Sequence, residues 1–202
     1  MTPSDPVILR DGVEIEDPIA IVLGFLAAYG SFGGGEASEP ASFGESDLRL
    51  ANRGGARISG VQIAEILERR RTVERALLEI APEATLAGAA LAVPWPVLRQ
   101  LFDAFADIRG VGFSKMTKAL HPKRPALIPI LDSVVQKYLV DDDPGAQAPF
   151  GERALELVRG YKRDLDRNRV ALRALRRSLA KRGHGLTDVR ILDLLIWSVG
   201  SG

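Results

Sequence analysis

The chain has 202 residues, enough for one sizeable domain or two small lobes sharing a core. Cysteine is absent and there are only two histidines, which excludes disulfides, cysteine-ligated zinc, iron–sulfur clusters and a His-rich metal centre. The net charge of +1 conceals an asymmetry: residues 1–50 hold nine acids and two bases, a net of −7, so the remainder carries +8 and is where an anionic partner should dock.

Aromatic residues are 6% of the chain, so the core must rest on Leu, Ile, Val and Ala, a mix that favours helices. The early acids Asp5, Asp11, Glu14, Glu16 and Asp17 predict no leader peptide. Ile19–Tyr29, the most apolar early stretch, is far short of the roughly 20 residues a membrane span requires. A cytoplasmic, all-α chain with no metal, cofactor or membrane partner is expected.

In chain order, Val7–Arg10 reads as a short extended piece and no β-alternation follows. Asp17 as N-cap, Pro18 at the first helical position and Gly30 as the stop frame a helix over 18–29. The Gly-, Ser- and Pro-rich run 30–44 predicts a flexible loop. A short helix over Glu45–Asn52 follows. Ser59 then caps one long helix to Ile80, with Val61, Ile63, Ile66, Leu67, Val73 and Leu77 turned inward. Residues 82–93 give no clear periodicity. Pro94 and Pro96 open a helix that carries Val97, Leu101, Phe102 and Phe105 and ends at Ile108. Further helices are expected after Gly112, from Asp132, over Phe150–Gly160, over Asp164–Arg182, and from Thr187 to Gly200. The expectation is a single domain over 1–202, with lobes 1–93 and 94–202.

The stretch from Phe105 to Leu120 carries the most chemistry. A helix ends, Gly110–Val111–Gly112 makes a tight turn, and a new helix starts at once. Such a start exposes unpaired N–H groups at the positive end of a helix dipole, where an oxygen anion can dock. Val111 can plug the gap between the helices, and Ser114, Lys115 and Lys118 lie on the first two turns. This pattern resembles the helix-hairpin-helix DNA-binding motif. Twenty residues after Gly112, Asp132 opens the next helix, and Lys137 lies within two turns of it. That spacing resembles the helix-hairpin-helix base-excision DNA glycosylases. The resemblance implies a catalytic role for Asp132, a basic partner at Lys137, and, with Ser114 where bifunctional members carry a nucleophilic Lys, the monofunctional kind. The string from Lys123 to Val135 also resembles an uncharacterised bacterial family of unknown function.

The expected partner is duplex DNA, held by Gly110, Val111, Gly112, Ser114, Lys115 and Lys118, with Lys123, Arg124 and Lys137 extending the positive surface. Between Arg159 and Arg182 there are ten bases and two acids. Arg169, Arg173 and Arg177 share i, i+4 spacing, which gains from an anionic neighbour. That neighbour is either nucleic acid or the acidic first fifty residues, within the chain or across a homodimer. Asp132 also reads as a plain N-cap and the hairpin as a plain connector, in which case the protein is a non-catalytic interaction module. Arg190 and Asp193 read as a structural pair, Asp141–Asp143 as a polar turn, and Asn52 and Arg57 as further candidates to line a cleft.

Overall fold

The computed structural model describes residues 6–30 and 39–200. Residues 31–38 of the loop expected at 30–44 lie outside that range. The fold is all-α, and its one sheet among the described residues is a two-residue antiparallel ladder between β1 (Val7–Ile8) and β2 (Glu14–Ile15). Asn168 fixes this ladder to the helices, accepting from the Ile8 N–H at 2.8 Å and donating to the Ile8 carbonyl at 2.9 Å.

Local signals set most helix starts. Helix α1 (Pro18–Tyr29) begins with the Asp17 carboxylate accepting from the Ala20 N–H. In α2 (Glu45–Arg53), the Asp47 carboxylate returns to the Gly44 N–H at 2.8 Å. Ser59 and Gln62 cap each other's N–H groups at the start of α3 (Gly60–Glu68).

The long helix expected to run to Ile80 is two helices, because Arg69 leaves helical geometry (φ −94°, ψ 5°) before α4 (Arg70–Glu79). The Arg69 guanidinium donates to the carbonyl of Ala106 at 2.5 Å, in the turn that leads to Gly110. Val61, expected inside, is 70% exposed.

Helix α5 (Trp95–Asp103) stops five residues before the expected Ile108. Asp107 stands at φ +61°, a left-handed conformation that no helix continues through. Helices α6 (Phe113–Leu120) and α7 (Ser133–Tyr138) follow. One helix, α8 (Phe150–Arg167), then runs through the gap expected at 161–163, and α9 (Arg169–Ala180) begins after Asn168. Gly160 does not break α8: a Cβ there would fall 2.0 Å from the Asp142 carboxylate, so this glycine admits a close neighbour. Helix α10 (Asp188–Gly200) starts with Thr187 accepting from the Arg190 N–H at 3.0 Å.

Buried apolar side chains from Val7 to Ile196 form one cluster that crosses the boundary expected at 93/94. Phe102 and Phe105, both fully buried, sit within it, and each contributes about 1.5–3 kcal/mol by leaving water. Around it α5 packs on α8 and α4, α6 on α2, and α10 on α7, α1 and α9. The stretch 82–93 is tied down by polar bonds. The Leu86 N–H donates to Ala126, and the buried Lys162 ammonium donates to the carbonyls of Leu86 and Gly88.

Candidate nucleic-acid interface

The hairpin is built from α5, the turn 104–112 and α6. Gly110 adopts φ +76°, which an L side chain resists, whereas Gly112 is extended (φ −99°, ψ −173°) and needs no glycine. Both glycines are exposed. Val111 between them is buried, as expected of a plug, but its N–H is taken by the Ile108 carbonyl at 3.0 Å. Val111 therefore offers no donor to a ligand, which corrects its expected part in binding. The N–H groups of Gly112, Phe113, Ser114 and Lys115 have no protein acceptor among the described residues.

The start of α6 is held rigidly. Phe113 is buried against Phe150, with ring centroids 4.8 Å apart, and the Arg153 guanidinium lies 5.2 Å from the Phe113 ring centre. Arg153 is itself clasped by Asp143 through two bonds of 2.9 and 2.7 Å. On the other flank, Gln62 of α3 donates to the Arg109 carbonyl at 2.9 Å and accepts from Lys115 Nζ at 2.8 Å. Lys115 is thus tethered to a neutral amide.

Lys118, one turn on, is half-buried, and its Nζ is 3.5 Å from the Gly55 carbonyl. Burial lowers its pKa; Asp132 opposes that shift, and the nearby cations Arg190 and Arg57 reinforce it. Asp132 caps α7 as expected, one carboxylate oxygen accepting from both the Val134 and Val135 N–H groups at 3.0 Å. It is half-buried, and electrostatic contact with Lys118 puts it beside the hairpin helix.

The segment leading into Asp132 is fixed from three directions. His121 Nδ1 lies 2.7 Å from the Ile128 carbonyl, Asp193 accepts from the Ile130 N–H at 3.3 Å, and Thr117 Oγ1 accepts from the Leu131 N–H at 3.0 Å. His121 is buried, and burial lowers its pKa to about 4. Burial drives the Asp193 carboxyl up to about 7.

Two expected surface cations are internal. Lys123 is 4% exposed and pairs with Asp47 at 2.8 Å. Arg124 is 1% exposed and donates to the carbonyls of Leu77, Ile80, Pro40 and Lys123. It closes the C-terminus of α4, whose last carbonyls lack helical partners. Neither residue extends a positive surface, because each has found its oxygen partners inside the fold.

Lys137 is exposed but borders a different feature, an apolar cleft of about 200 Å³ shared with Leu9, Val13, Tyr138, Ile196 and Val199. Arg169, Arg173 and Arg177 are exposed on α9, which packs on α10, α1 and α8, away from α6 and its neighbour α2. The ion pairs of α9 go to Asp166 and Asp188. Arg173 and Arg177 have no ion-pair partner among the described residues. Asp142 pairs with Arg10 and Arg163, and Asp143 with Arg153, so the acidic turn is spent on arginines.

Sequence reasoning missed Gln62 and the clustering of Arg57 and Arg190 near Lys118. The Ser59–Gln62 spacing announces the cap, but no local signal shows that the same amide reaches Arg109 and Lys115.

Taken together, the helices define an all-α protein in which Lys115 and Lys118, with Arg57 and Arg190 in reach of Lys118, gather at the hairpin helix. The chain belongs to the DUF6308 family, a family of unknown function, which it matches over residues 25–200. No curated protein and no solved structure matches it. The expected kinship with an uncharacterised family is thereby met, while the likeness to helix-hairpin-helix glycosylases finds no counterpart in these comparisons.

Proposed function

We propose that the protein binds duplex DNA through the sugar-phosphate backbone. The carrying observation is the start of α6, where Gly112 is exposed and the N–H groups of Gly112 to Lys115 lack protein acceptors among the described residues. Lys115 and Lys118 flank that start, and Phe113 anchors it. A preorganised set of amides with adjacent ammonium groups suits a phosphate oxygen. Backbone contacts of this kind position a duplex without reading its sequence. The exposed arginines of α9 offer a second, sequence-independent stretch of positive charge.

Asp132 gives this reading a catalytic extension. Its double cap uses one carboxylate oxygen, leaving the other without a hydrogen bond among the described residues, and the half-buried Lys118 ammonium lies within electrostatic reach. A carboxylate so placed can stabilise positive charge on a deoxyribose as its N-glycosidic bond breaks, while a water supplies the new C1′ oxygen and the base departs protonated. The target nucleotide would have to leave the duplex stack first.

The direct test is anisotropy of a labelled duplex, titrated at a series of salt concentrations. The account expects affinity that falls steeply with salt and little sequence preference. No binding at low salt would leave the hairpin as a connector and the protein as an interaction module. Incubation with duplexes holding uracil, alkylated or oxidised bases tests the chemistry. Asp132→Asn keeps a capping oxygen, so it should fold normally and lose any base release; unchanged release would remove Asp132 from the reaction.

A further inference from the structure

We propose that the loop 54–59, α6 and α10 together form a second anion station, in which Arg57 and Arg190 join Lys118, beside Asp132, to hold one phosphate. Its role on DNA rests on the backbone-binding reading; its capacity for phosphate does not.

The loop is built for a purpose beyond connection. Asn52 clamps it with two bonds, donating to the Ile58 carbonyl at 2.9 Å and accepting from the Ile58 N–H at 2.6 Å. The Ala56 N–H returns to the Ala51 carbonyl at 3.0 Å. Between these ties, Arg57 is forced to φ +56°, a conformation that a residue with a Cβ adopts only when its surroundings impose it. Asn or Gly would sit there with less strain, yet the position carries an exposed arginine. Strain retained at a long cationic side chain points to a task for that side chain.

The neighbours define the task. Lys118 Nζ reaches the Gly55 carbonyl at 3.5 Å, which brings α6 against the loop. Arg190, in the first turn of α10, and Arg57 both lie within electrostatic reach of Lys118, as does Asp132. Lys118 is thus in electrostatic reach of two further cations and of Asp132, and the bonds from the Leu131 N–H to Thr117 and from the Ile130 N–H to the buried Asp193 hold α6, the lead-in to Asp132 and α10 together. Neither Arg57 nor Arg190 forms an ion pair with any described residue; Arg190 lies over the Phe25 ring, 5.9 Å from its centre. One carboxylate, Asp132, among these three cations leaves an excess of positive charge that a further anion can join. A tetrahedral oxyanion with several acceptor oxygens matches two guanidinium forks and one ammonium. A phosphate bound there would sit beside Asp132, so on DNA it would be the phosphate next to the nucleotide presented to that carboxylate.

Two variants test the station: Arg57→Asn, which relieves the strained backbone, and Arg190→Gln. The probes are inorganic phosphate, a 5′-mononucleotide and a short duplex, read by thermal stability, by the Lys118 side-chain resonances and by duplex anisotropy against salt. The expected result is that phosphate and mononucleotide move the Lys118 signal in the native chain and not in either variant. Arg57→Asn should melt no lower than the native chain, yet lose affinity for duplex several-fold, with the salt slope smaller by about one. If the native chain binds no duplex while phosphate still moves Lys118 in an Arg57-dependent way, the station stands and serves a mononucleotide; the backbone-binding reading then falls alone. If phosphate leaves Lys118 unmoved, or both variants keep the native response, the proposal is overturned.

Discussion

Gln62 and Gly110 are fitted so closely that a Cβ added at position 110 would stand 2.7 Å from the Gln62 amide nitrogen. That nitrogen donates to the Arg109 carbonyl, so the first turn of α3 reads the backbone of the hairpin. The two glycines of the turn consequently differ. Gly110→Ala meets a left-handed backbone and displaces Gln62, and should destabilise the fold by about 2–3 kcal/mol. Gly112→Ala meets open space at an ordinary φ and should cost no more than about 1 kcal/mol. Denaturant unfolding of both variants checks the contrast. Gly112 is therefore the better place to crowd the α6 amides without disturbing the fold.

Arg124 should be among the least replaceable residues in the chain. Arg124→Met would fill the space but leave four backbone carbonyls without their donor, two of them at the end of α4. A loss of about 3–5 kcal/mol is expected, and Arg124→Lys should recover little because an ammonium cannot reproduce the planar fork. Chemical unfolding measures both variants, and the native duplex affinity should persist in any fraction that stays folded.

Two buried groups beneath Asp132 make opposite contributions to stability across the acid range. Asp193 faces Arg190, Tyr161, the Ile130 N–H and Asp132, and its pKa is raised from 3.8 to about 7. The native state therefore holds this proton where the unfolded chain has released it, and stability is lost as pH rises from about 4 through 7. His121 faces the Ile128 carbonyl and Arg190, and its pKa is lowered from 6.5 to about 4. Its contribution is complete above 6.5 and is lost as pH falls toward 4. The two slopes oppose each other over most of that window. Asp193→Asn should stabilise the protein at pH 8 by an amount on the order of a few kcal/mol and expose a loss on acidification. Thermal unfolding at pH 4.5 and pH 8 checks the sign.

On α9, Arg173 and Arg177 carry charge that no described carboxylate neutralises. Arg173→Gln/Arg177→Gln should leave stability nearly unchanged, because both side chains are exposed. If α9 touches the duplex, the same double variant lowers the salt slope by about two; if it does not, the slope is that of the native chain.

Much of the fold was legible because caps are local. Asp17 with Pro18, Ser59, Asp132 and Thr187 each mark a helix start, and each does so in the structure. Helix ends fared worse where a distant group decides them. The hydrophobic period runs through Arg69, yet the chain breaks there because the Arg69 guanidinium serves Ala106, far along the chain. Gly160 looks like a stop but is a contact point for Asp142. The largest misreading concerns Lys123 and Arg124. Flanked by Pro122 and Pro125, they resemble a solvated basic loop, while their partners, Asp47 and the carbonyls of α4, lie more than forty residues earlier. Arg57 was a candidate to line a cleft, but its strained backbone was not foreseen, since a positive φ leaves no trace in composition.

The central claim is that the bare amides at the start of α6 dock a backbone phosphate. Amide resonances of Gly112, Phe113, Ser114 and Lys115, followed while a short duplex is added at low salt, test it residue by residue. These four signals should move together and saturably, and return as salt is raised. Duplex binding that leaves all four unmoved would contradict it.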